Sequence, residues 1–377
     1  MVSVMKGRTK RRVLVSIAAL AIGVGAGVAL PRVAHELPGP LAMAARWPER
    51  LWTRFLPPRT SLRTRLAALT RHEREATSAL ARTLDGLVVW SSNRSGNHEL
   101  YLLDLRKQTV RQLTHHPHID FFSRFSPDGR RVLFLRSQRE WVSFREEGAW
   151  DVMLVNVDGT GEELLVRGGY HPTWADQGTA VVFERGLQLW RLDLATRAEQ
   201  LLLDGARDFP GVEEIGDFEL AHDSRQLAFG LRGRFDGAFG LRGAFSGAVT
   251  LDLKGRRLSV LTREQACQTT WAPDDRQVLW VETGGSGGTR VMAGSPDGSD
   301  RHVFMDLPGA YSHEYFPKLS SDGRWLVWGA AAEGHEHDRA DYEIFVWQVG
   351  VPWERAVRLT HHAGNDQWPD LWVRPPR

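Results

Sequence analysis

A repeat of about fifty residues constrains the fold of this 377-residue chain more than any other feature. Each repeat begins with a tight-turn motif, of which Phe125-Ser126-Pro127-Asp128-Gly129 is the clearest copy. The fourth positions of the five motifs are residues 128, 177, 223, 274 and 322, so successive copies lie 49, 46, 51 and 48 residues apart. A short apolar run that ends in Phe or Trp follows each motif, as in Val132 to Phe134. Repeated short strands at this period predict the blades of a β-propeller.

The two ends of the repeat region predict how the ring of blades closes. Residues 87–113 supply only the last three strands of a blade, at Leu87–Trp90, Glu99–Leu103 and Val110–Leu113. The missing first strand is found in residues 368–373, which match residues 316–319. We therefore expect Leu371 to pair with this blade, because the pairing removes an exposed sheet edge. The predicted fold class is all-β, a six-bladed β-propeller closed by its N- and C-terminal strands.

The N-terminus combines a basic cluster with an apolar run. Five positive charges in the first twelve residues precede VLVSIAALAIGVGAGVAL at 13–30, which contains no charge. This order is typical of a signal peptide or a signal anchor. We expect an uncleaved transmembrane helix in the inner membrane, with a cleaved signal peptide as the alternative. The positive flank then places the remaining chain on the periplasmic side.

Residues 32–85 are expected to form a short helical linker. Leu62, Leu66, Leu69, Ala76 and Leu80 recur at helical spacing. Such a stripe either packs the helix against the following domain or lies on a membrane or a partner. The predicted domains are therefore a signal anchor or signal peptide at 1–31, the linker at 32–85 and the propeller at 86–377.

Composition and motifs exclude several classes of function. The single cysteine, Cys267, rules out an intrachain disulfide and a cysteine-based zinc site. The net charge is +2, and removal of the basic N-terminal cluster leaves −3 for the rest of the chain, so we expect no nucleic-acid binding. Residues 284–288 match the G-x-S-x-G pattern of serine hydrolases, but they lie between two predicted strands without the helix that a nucleophile elbow needs. We assign no catalytic residue.

Histidines are concentrated at one end of the predicted ring. Ten of the twelve in 86–377 fall in hairpins between the second and third strands of a blade or in connections between blades. They are His98, His115, His116, His118, His171, His313, His335, His337, His361 and His362. The longest loops, at 137–149, 230–247 and 330–341, belong to the same end. Functional residues concentrate on loops that a rigid scaffold holds, so we expect a binding surface here.

The sharpest candidate cluster lies in the last complete blade. The candidate binding residues are His313, Glu314, His335, Glu336, His337 and Asp338. Imidazole and carboxylate groups are suitable ligands for a divalent metal. The alternative is a solvated loop that contains the same residues and binds no metal. We expect no cofactor, and a divalent metal stays an open alternative.

Several segments resemble the WD40-like Pro-Asp repeat of TolB-type propellers. They are Ser91–Tyr101, Arg111–Pro117, Ser126–Gly129, Asp341–Phe345 and Arg358–His362. The resemblance covers about residues 86–377 and implies a six-bladed propeller in the bacterial cell envelope that acts mainly by binding proteins. Residues 32–85 do not match the α/β domain that usually precedes a TolB propeller.

The expected function is therefore the non-catalytic binding of another envelope protein by the propeller, with the membrane as a second partner through the N-terminal helix. The alternative is an enzyme. It would be a metal-dependent lyase or hydrolase that acts on a saccharide through the His-rich end of the propeller.

Overall fold

The structure is a computed structural model that describes residues 69–285, 288–332, 334, 336–361 and 364–375. Its strands form six four-stranded antiparallel sheets. The innermost strands of successive sheets contact one another in cyclic order, so the sheets form a closed ring. This arrangement confirms the predicted all-β fold with six propeller blades.

The strands of each blade follow one another along the chain, apart from the last strand, which joins the first blade. Blade 1 contains β1 (Gly86–Ser92), β2 (Glu99–Asp104), β3 (Thr109–Gln112) and the innermost strand β24 (Asp366–Val373). Blade 2 contains β4 (Asp120–Phe125), β5 (Arg131–Ser137), β6 (Trp150–Asn156) and β7 (Glu163–Val166). Blade 3 contains β8 (Tyr170–Ala175), β9 (Ala180–Arg185), β10 (Gln188–Asp193) and β11 (Glu199–Asp204).

The remaining blades have the same order. Blade 4 contains β12 (Val212–Leu220), β13 (Gln226–Asp236), β14 (Arg242–Asp252) and β15 (Leu258–Thr262). Blade 5 contains β16 (Ala266–Trp271), β17 (Val278–Gly284), β18 (Gly288–Gly294) and β19 (His302–Met305). Blade 6 contains β20 (His313–Leu319), β21 (Trp325–Ala331), β22 (Tyr342–Gln348) and β23 (Val357–Arg358). Short helical turns occur at Glu147–Ala149, Asp176–Gly178, Gly205–Asp208, Ala238–Gly240 and Trp353–Arg355.

The C-terminal strand closes the ring as the sequence predicts. β24 pairs antiparallel with β1, with Leu371 opposite Val88 and Trp372 opposite Leu87. Leu371 is buried among apolar residues of blades 1 and 6. The pairing supplies hydrogen bonds to an edge of β1 that would otherwise face solvent.

The repeated turn motif has a local structural cause. The hydroxyl of Ser126 donates to Asp128 at 2.6 Å, and the same carboxylate accepts the amide of Arg130 at 3.1 Å. Gly129 has a φ of +68°, and a Cβ atom there would lie 2.2 Å from the ring of Trp372. Asp322 repeats the arrangement in blade 6, where it accepts from Ser320. The motif therefore recurs because each blade needs the same tight turn.

Every innermost strand contains a β-bulge at the same position. One residue that is not glycine has a positive φ there, at a shift of the strand register. These six residues form what we call the bulge ring, namely Phe122, His171, Asp217, Gln268, Phe316 and Trp368. Five of them line the narrowest part of the central channel. A bulge re-aims a side chain, which explains how one residue per blade reaches the channel.

The helix α1 (Arg71–Leu80) packs on the propeller at blades 6 and 1. Thr70 and Glu73 form a capping box at its N-terminus. Leu69 and Leu80 are buried in a cluster with apolar residues of these two blades. The described part of the predicted linker thus packs against the domain, whereas Leu62 and Leu66 lie outside the described residues. The apolar run at 13–30 also lies outside them. The part of the chain that the structure describes has no helix with the length and apolarity for crossing a membrane.

Candidate functional site

The two ends of the propeller are chemically different. We call the end with the hairpins between second and third strands, and with the connections between blades, the loop face. The opposite end, which carries turns such as 125–129, is the turn face. Eight of the ten histidines predicted for the loop face are described, and all lie in or beside its segments. His98 and His171 are only 4% and 6% exposed, so these two rings belong to the interior.

Two long loops from blades that are not neighbours meet at the loop face. Asp338 in the loop of blade 6 accepts hydrogen bonds from the Ser143 hydroxyl at 2.6 Å and the Phe144 amide at 3.1 Å. Next to this contact, Arg145 and Glu336 form an ion pair of 3.2 Å. We call these contacts the loop clasp. Because blades 2 and 6 flank blade 1, the loop clasp joins two segments nearly 200 positions apart in the chain.

An aromatic cluster lies beneath the loop clasp. The ring of Phe144 lies 4.6 Å from that of Trp368 and 5.3 Å from that of Tyr170, measured between centroids. The Tyr170 hydroxyl donates to the Phe144 carbonyl. The ring of His337 lies 5.0 Å from that of Phe316. Aromatic side chains therefore fill the loop-face side of the channel next to blades 6, 1 and 2.

The six candidate binding residues do not form one cluster. Glu314 is fully buried and accepts from the Leu307 amide at 2.8 Å and the Thr289 hydroxyl at 3.2 Å. Burial raises the pKa of Glu314 to about 8. This carboxyl group therefore holds the connection between blades 5 and 6 from inside the fold. His313 is half-buried at the start of β20.

The remaining candidates lie in the loop of blade 6. Glu336 and His337 are partly exposed, Asp338 is buried, and His335 lies outside the described residues. Burial raises the pKa of Asp338, although the hydrogen bonds from Ser143 and Phe144 oppose the change. Among the described residues, no group of three His, Cys, Asp or Glu side chains is placed to hold a metal ion.

The structure contains a buried charged triad in the channel wall that the sequence did not predict. The His171 ring has its Nδ1 3.1 Å from Glu184 Oε2 and its Nε2 2.8 Å from Asp217 Oδ1. Burial alone would lower the pKa of His171, but the two carboxylates outweigh it and raise the pKa to about 10. Burial raises the pKa of Glu184 to about 7. Since both ring nitrogens face carboxylates, His171 in this arrangement is a structural cation rather than a metal ligand.

A cavity of ≈ 230 Å³ opens at the loop face beside this triad. It lies among blades 4, 5 and 6, and Asp217, Cys267 and Tyr315 are among its lining residues. Arg232 on the long β13–β14 hairpin forms an ion pair with Glu214 in the same lining. Burial raises the pKa of the Cys267 thiol, so this sulfur is protonated at neutral pH and is a poor nucleophile.

The repeat alignment contains the information that His171 and Asp217 lie close together. Each bulge-ring residue of blades 2 to 6 lies six positions before the fourth position of its turn motif, as Phe122 does before Asp128. His171 and Asp217 occupy this position in consecutive repeats. The alignment could therefore have brought the two together, because equivalent positions of a propeller surround its axis.

The similarity of this chain to known proteins is found in its structure. No protein-family model matches the chain. No curated protein matches its sequence. TolB from Acinetobacter baumannii aligns with a TM-score of 0.55 at 13% identity, over 76% of this chain and 66% of that one. A structure assigned to TolB from Agrobacterium tumefaciens aligns with a TM-score of 0.54 at 15% identity, over 76% and 99%.

An oligogalacturonate lyase in complex with manganese aligns less well, with a TM-score of 0.44 at 17% identity over 72% of each chain. The TolB structures, at 13% and 15% identity, show a shared fold and nothing finer. The resemblance to TolB-type propellers is thus confirmed at the level of architecture, and the chain has the six-bladed β-propeller fold seen in the TolB structures.

Proposed function

We propose that this protein is a non-catalytic propeller of the bacterial cell envelope whose loop face binds another envelope protein. The observation that carries the proposal is the loop clasp, in which Asp338 ties the loops of blades 2 and 6 together. Loops held in one conformation lose little entropy on association, so they suit recognition of a partner.

The residues exposed around the loop clasp support this function. Trp141 is half-buried beside the aromatic cluster, whereas Arg139 and Arg145 are exposed. Arg139 pairs with Glu146, and Arg145 pairs with Glu336. An apolar centre with a charged rim is the usual anatomy of a protein interface. We place the partner contacts at His313, His335, Glu336 and His337, with Glu314 and Asp338 supporting the backbone from within.

A comparison of charge-reversed variants in membrane crosslinking tests the partner surface. Arg145→Glu and Glu336→Lys should each reduce capture of the same partner at least about tenfold, which corresponds to about 1.4 kcal/mol of binding free energy. Both should melt close to the parent protein, because an exposed ion pair contributes only about 0–1 kcal/mol to stability. Arg130→Glu, an exposed change on the turn face, is the matched control. Equal capture by all four proteins would exclude the loop face.

We place the propeller on the periplasmic side of the inner membrane, anchored by residues 13–30. The basic cluster before this apolar run supports the orientation. A tagged full-length chain should sediment with inner membranes, and its propeller should be digested by protease added to spheroplasts. A soluble cytoplasmic pool of the unprocessed chain would contradict the location.

The alternative function is a metal-dependent lyase or hydrolase acting on a saccharide. The cavity of ≈ 230 Å³ beside Asp217 favours it, because small ligands bind in concave sites that combine apolar walls with a few polar groups. The described residues do not converge as a metal site, so we derive no reaction step through a metal. Metal analysis of the purified full-length protein separates the two functions. A stoichiometric divalent metal that is lost in His337→Ala would favour the enzyme.

A further inference from the structure

The turn face opens into the central channel. A cavity of ≈ 350 Å³ lies where the six innermost strands end, and exposed rim residues such as Pro127, Gln177 and His222 surround its opening. The channel then narrows at the bulge ring to a space of ≈ 20 Å³, which is about the volume needed for one water molecule. The cavity is therefore a well that is wide at the turn face and narrow at its base.

A second ring of side chains lines this well. Each member lies two residues after a bulge-ring residue on the same strand. We call these residues the polar ring, namely Arg124, Thr173, Glu219, Thr270, Lys318 and Asp370. The polar ring holds two cations and two anions inside the protein, where each charge needs compensation.

Three of the four charges have close partners. Lys318 Nζ lies 2.6 Å from Glu219 Oε2 and 3.3 Å from the Thr270 hydroxyl. The oxygens of Asp370 accept from the amides of Phe125 at 2.7 Å and Leu371 at 2.8 Å. Both carboxylates of the polar ring are therefore already satisfied by donors.

Arg124 is the exception. The residue is only 8% exposed, and among the described residues its guanidinium makes one hydrogen bond, from Nη1 to the Ser123 carbonyl at 2.8 Å. Among the described residues, no carboxylate oxygen lies within 4.0 Å of its guanidinium. Burial lowers the pKa of Arg124, and the more distant charges of Asp370, Glu219 and Asp217 only oppose this change.

Other donors at the base of the well also lack acceptors. The Arg124 guanidinium stacks 4.2 Å from the centroid of the Phe122 ring, which sets its orientation. Within the described part of the chain, Gln268 Nε2 and Trp368 Nε1 are buried without a hydrogen-bond partner, and both residues line the narrow space that Arg124 lines. Asp217 also lines this space, but its Oδ1 lies 2.8 Å from His171 Nε2, which pairs with it as a cation. The donors of Arg124, Gln268 and Trp368 therefore outnumber the free acceptors among the described residues, and the missing chemical group is an acceptor.

We propose that the well at the turn face binds a carboxylate-bearing ligand whose oxygens accept hydrogen bonds from Arg124. The fork of N–H groups on a guanidinium matches the two oxygens of a carboxylate. Trp174 and Trp372 are half-buried where they line the wider part of the cavity, and they provide apolar surface for the rest of the ligand. This site goes beyond the proposed function, because it lies on the face opposite the loop clasp and needs no partner protein.

Thermal melting of the purified full-length protein tests the site. Sodium acetate should raise the melting temperature by about 2–4 °C, whereas acetamide and sodium chloride at matched concentration and ionic strength should not. Arg124→Met should abolish the response to acetate. This variant should also melt at the same temperature as the parent protein or higher, because it removes a buried charge without a close partner.

Control variants decide between a ligand site and a structural arginine. Arg130→Met changes an exposed arginine near the same turn and should keep the full acetate response. If Arg124→Met melts several degrees lower and acetate stabilises neither protein, Arg124 is structural and the proposal is wrong. An equal response of Arg124→Met and the parent protein would place acetate elsewhere. An equal effect of chloride would overturn the carboxylate class.

Discussion

His171 illustrates how a bulge changes the role of one residue. Its φ of 41° lies in the left-handed region, and the bulge directs the imidazole between Glu184 and Asp217. The ring is buried, so its charge would be unstable without both carboxylates. The same bulge position holds Phe122 in blade 2, where it packs on aromatic neighbours instead. Equivalent backbone geometry thus supports ionic packing in one blade and apolar packing in another.

The triad predicts a loss of stability in alkaline solution. The pKa of His171 is about 10 in the folded protein, above the value of about 6.5 expected in the unfolded chain. Its stabilising contribution is therefore complete below about pH 6.5 and is lost as the pH rises through about 10. The free energy of unfolding, measured by urea denaturation, should fall between pH 7 and 10. His171→Gln should be less stable at pH 7 and should show a smaller fall. A flat profile for the parent protein would contradict this assignment.

Asp338 predicts a local effect. Asp338→Ala removes the acceptor of the Ser143 hydroxyl and the Phe144 amide, which should cost about 2 kcal/mol, as expected for hydrogen bonds to a charged group. The loop at 137–149 should then be cut faster in limited proteolysis, while the blades stay folded. Glu140→Ala, an exposed change in the same loop, is the control. Equal cleavage rates in the two variants would mean that the loop clasp does not restrain the loop.

At the scale of elements, an ionic network joins three parts of the chain near the closing strand. Arg94 Nη2 lies 3.5 Å from Glu73 of α1 and 3.3 Å from Asp366 of β24. The Trp90 indole donates to Asp366 at 3.1 Å, and the His361 amide donates to Glu73 at 3.1 Å. The helix, the first hairpin and the last strand therefore share one buried network. This network holds α1 on the propeller, although most residues of the helix are polar.

Removal of the central cation should destabilise all three elements. Arg94→Met removes the cation that the buried carboxylates of Glu73 and Asp366 share, which should cost about 3–5 kcal/mol of unfolding free energy. Chemical denaturation measures this loss. Arg71→Met on the exposed side of the same helix should change stability by less than about 0.5 kcal/mol. A loss below about 1 kcal/mol for Arg94→Met would show that solvent compensates the carboxylates.

At the scale of the whole molecule, stability depends on ring closure. The innermost strands of all blades contact their neighbours, so each blade is covered on both sides. β24 contributes Trp368 to the aromatic cluster and Asp366 to the ionic network in addition to its pairing with β1. The final strand therefore supports the sheet edge, the channel and the helix together.

Deletion of residues 366–377 should expose the edge of β1 and cause aggregation. Light scattering after size-exclusion chromatography and thermal melting measure the effect. A shorter deletion of 374–377 keeps β24 and removes the contacts of Arg374 with Asp85 and Asp104, so it should stay monomeric. A monomeric 366–377 deletion with unchanged melting would contradict the closure argument.

The sequence by itself determined the number of blades, their turns and the closing strand. Asp128 and Asp322 make hydrogen bonds to residues two positions away, and the hydroxyls of Ser126 and Ser320 accept from amides five positions away. These contacts are local in sequence, so they recur with the repeat. The pairing of Leu371 with the first blade followed from a strand missing at one end and present at the other. The repeats made these features predictable, because every blade packs in the same way with similar residues.

Only the tertiary structure decided which polar residues act together. Glu314 and Asp338 belong to one predicted cluster, yet each is buried against different neighbours, and Asp338 bonds to a loop 194 positions away. Arg124 and His171 belong to rings that lie two residues apart along the innermost strands, and the surroundings of both come from several blades. Burial and charge pairing depend on contacts between distant segments, whereas the repeat reports only contacts within a blade. The burial and charge pairing at each site therefore depend on how the closed ring brings distant segments together.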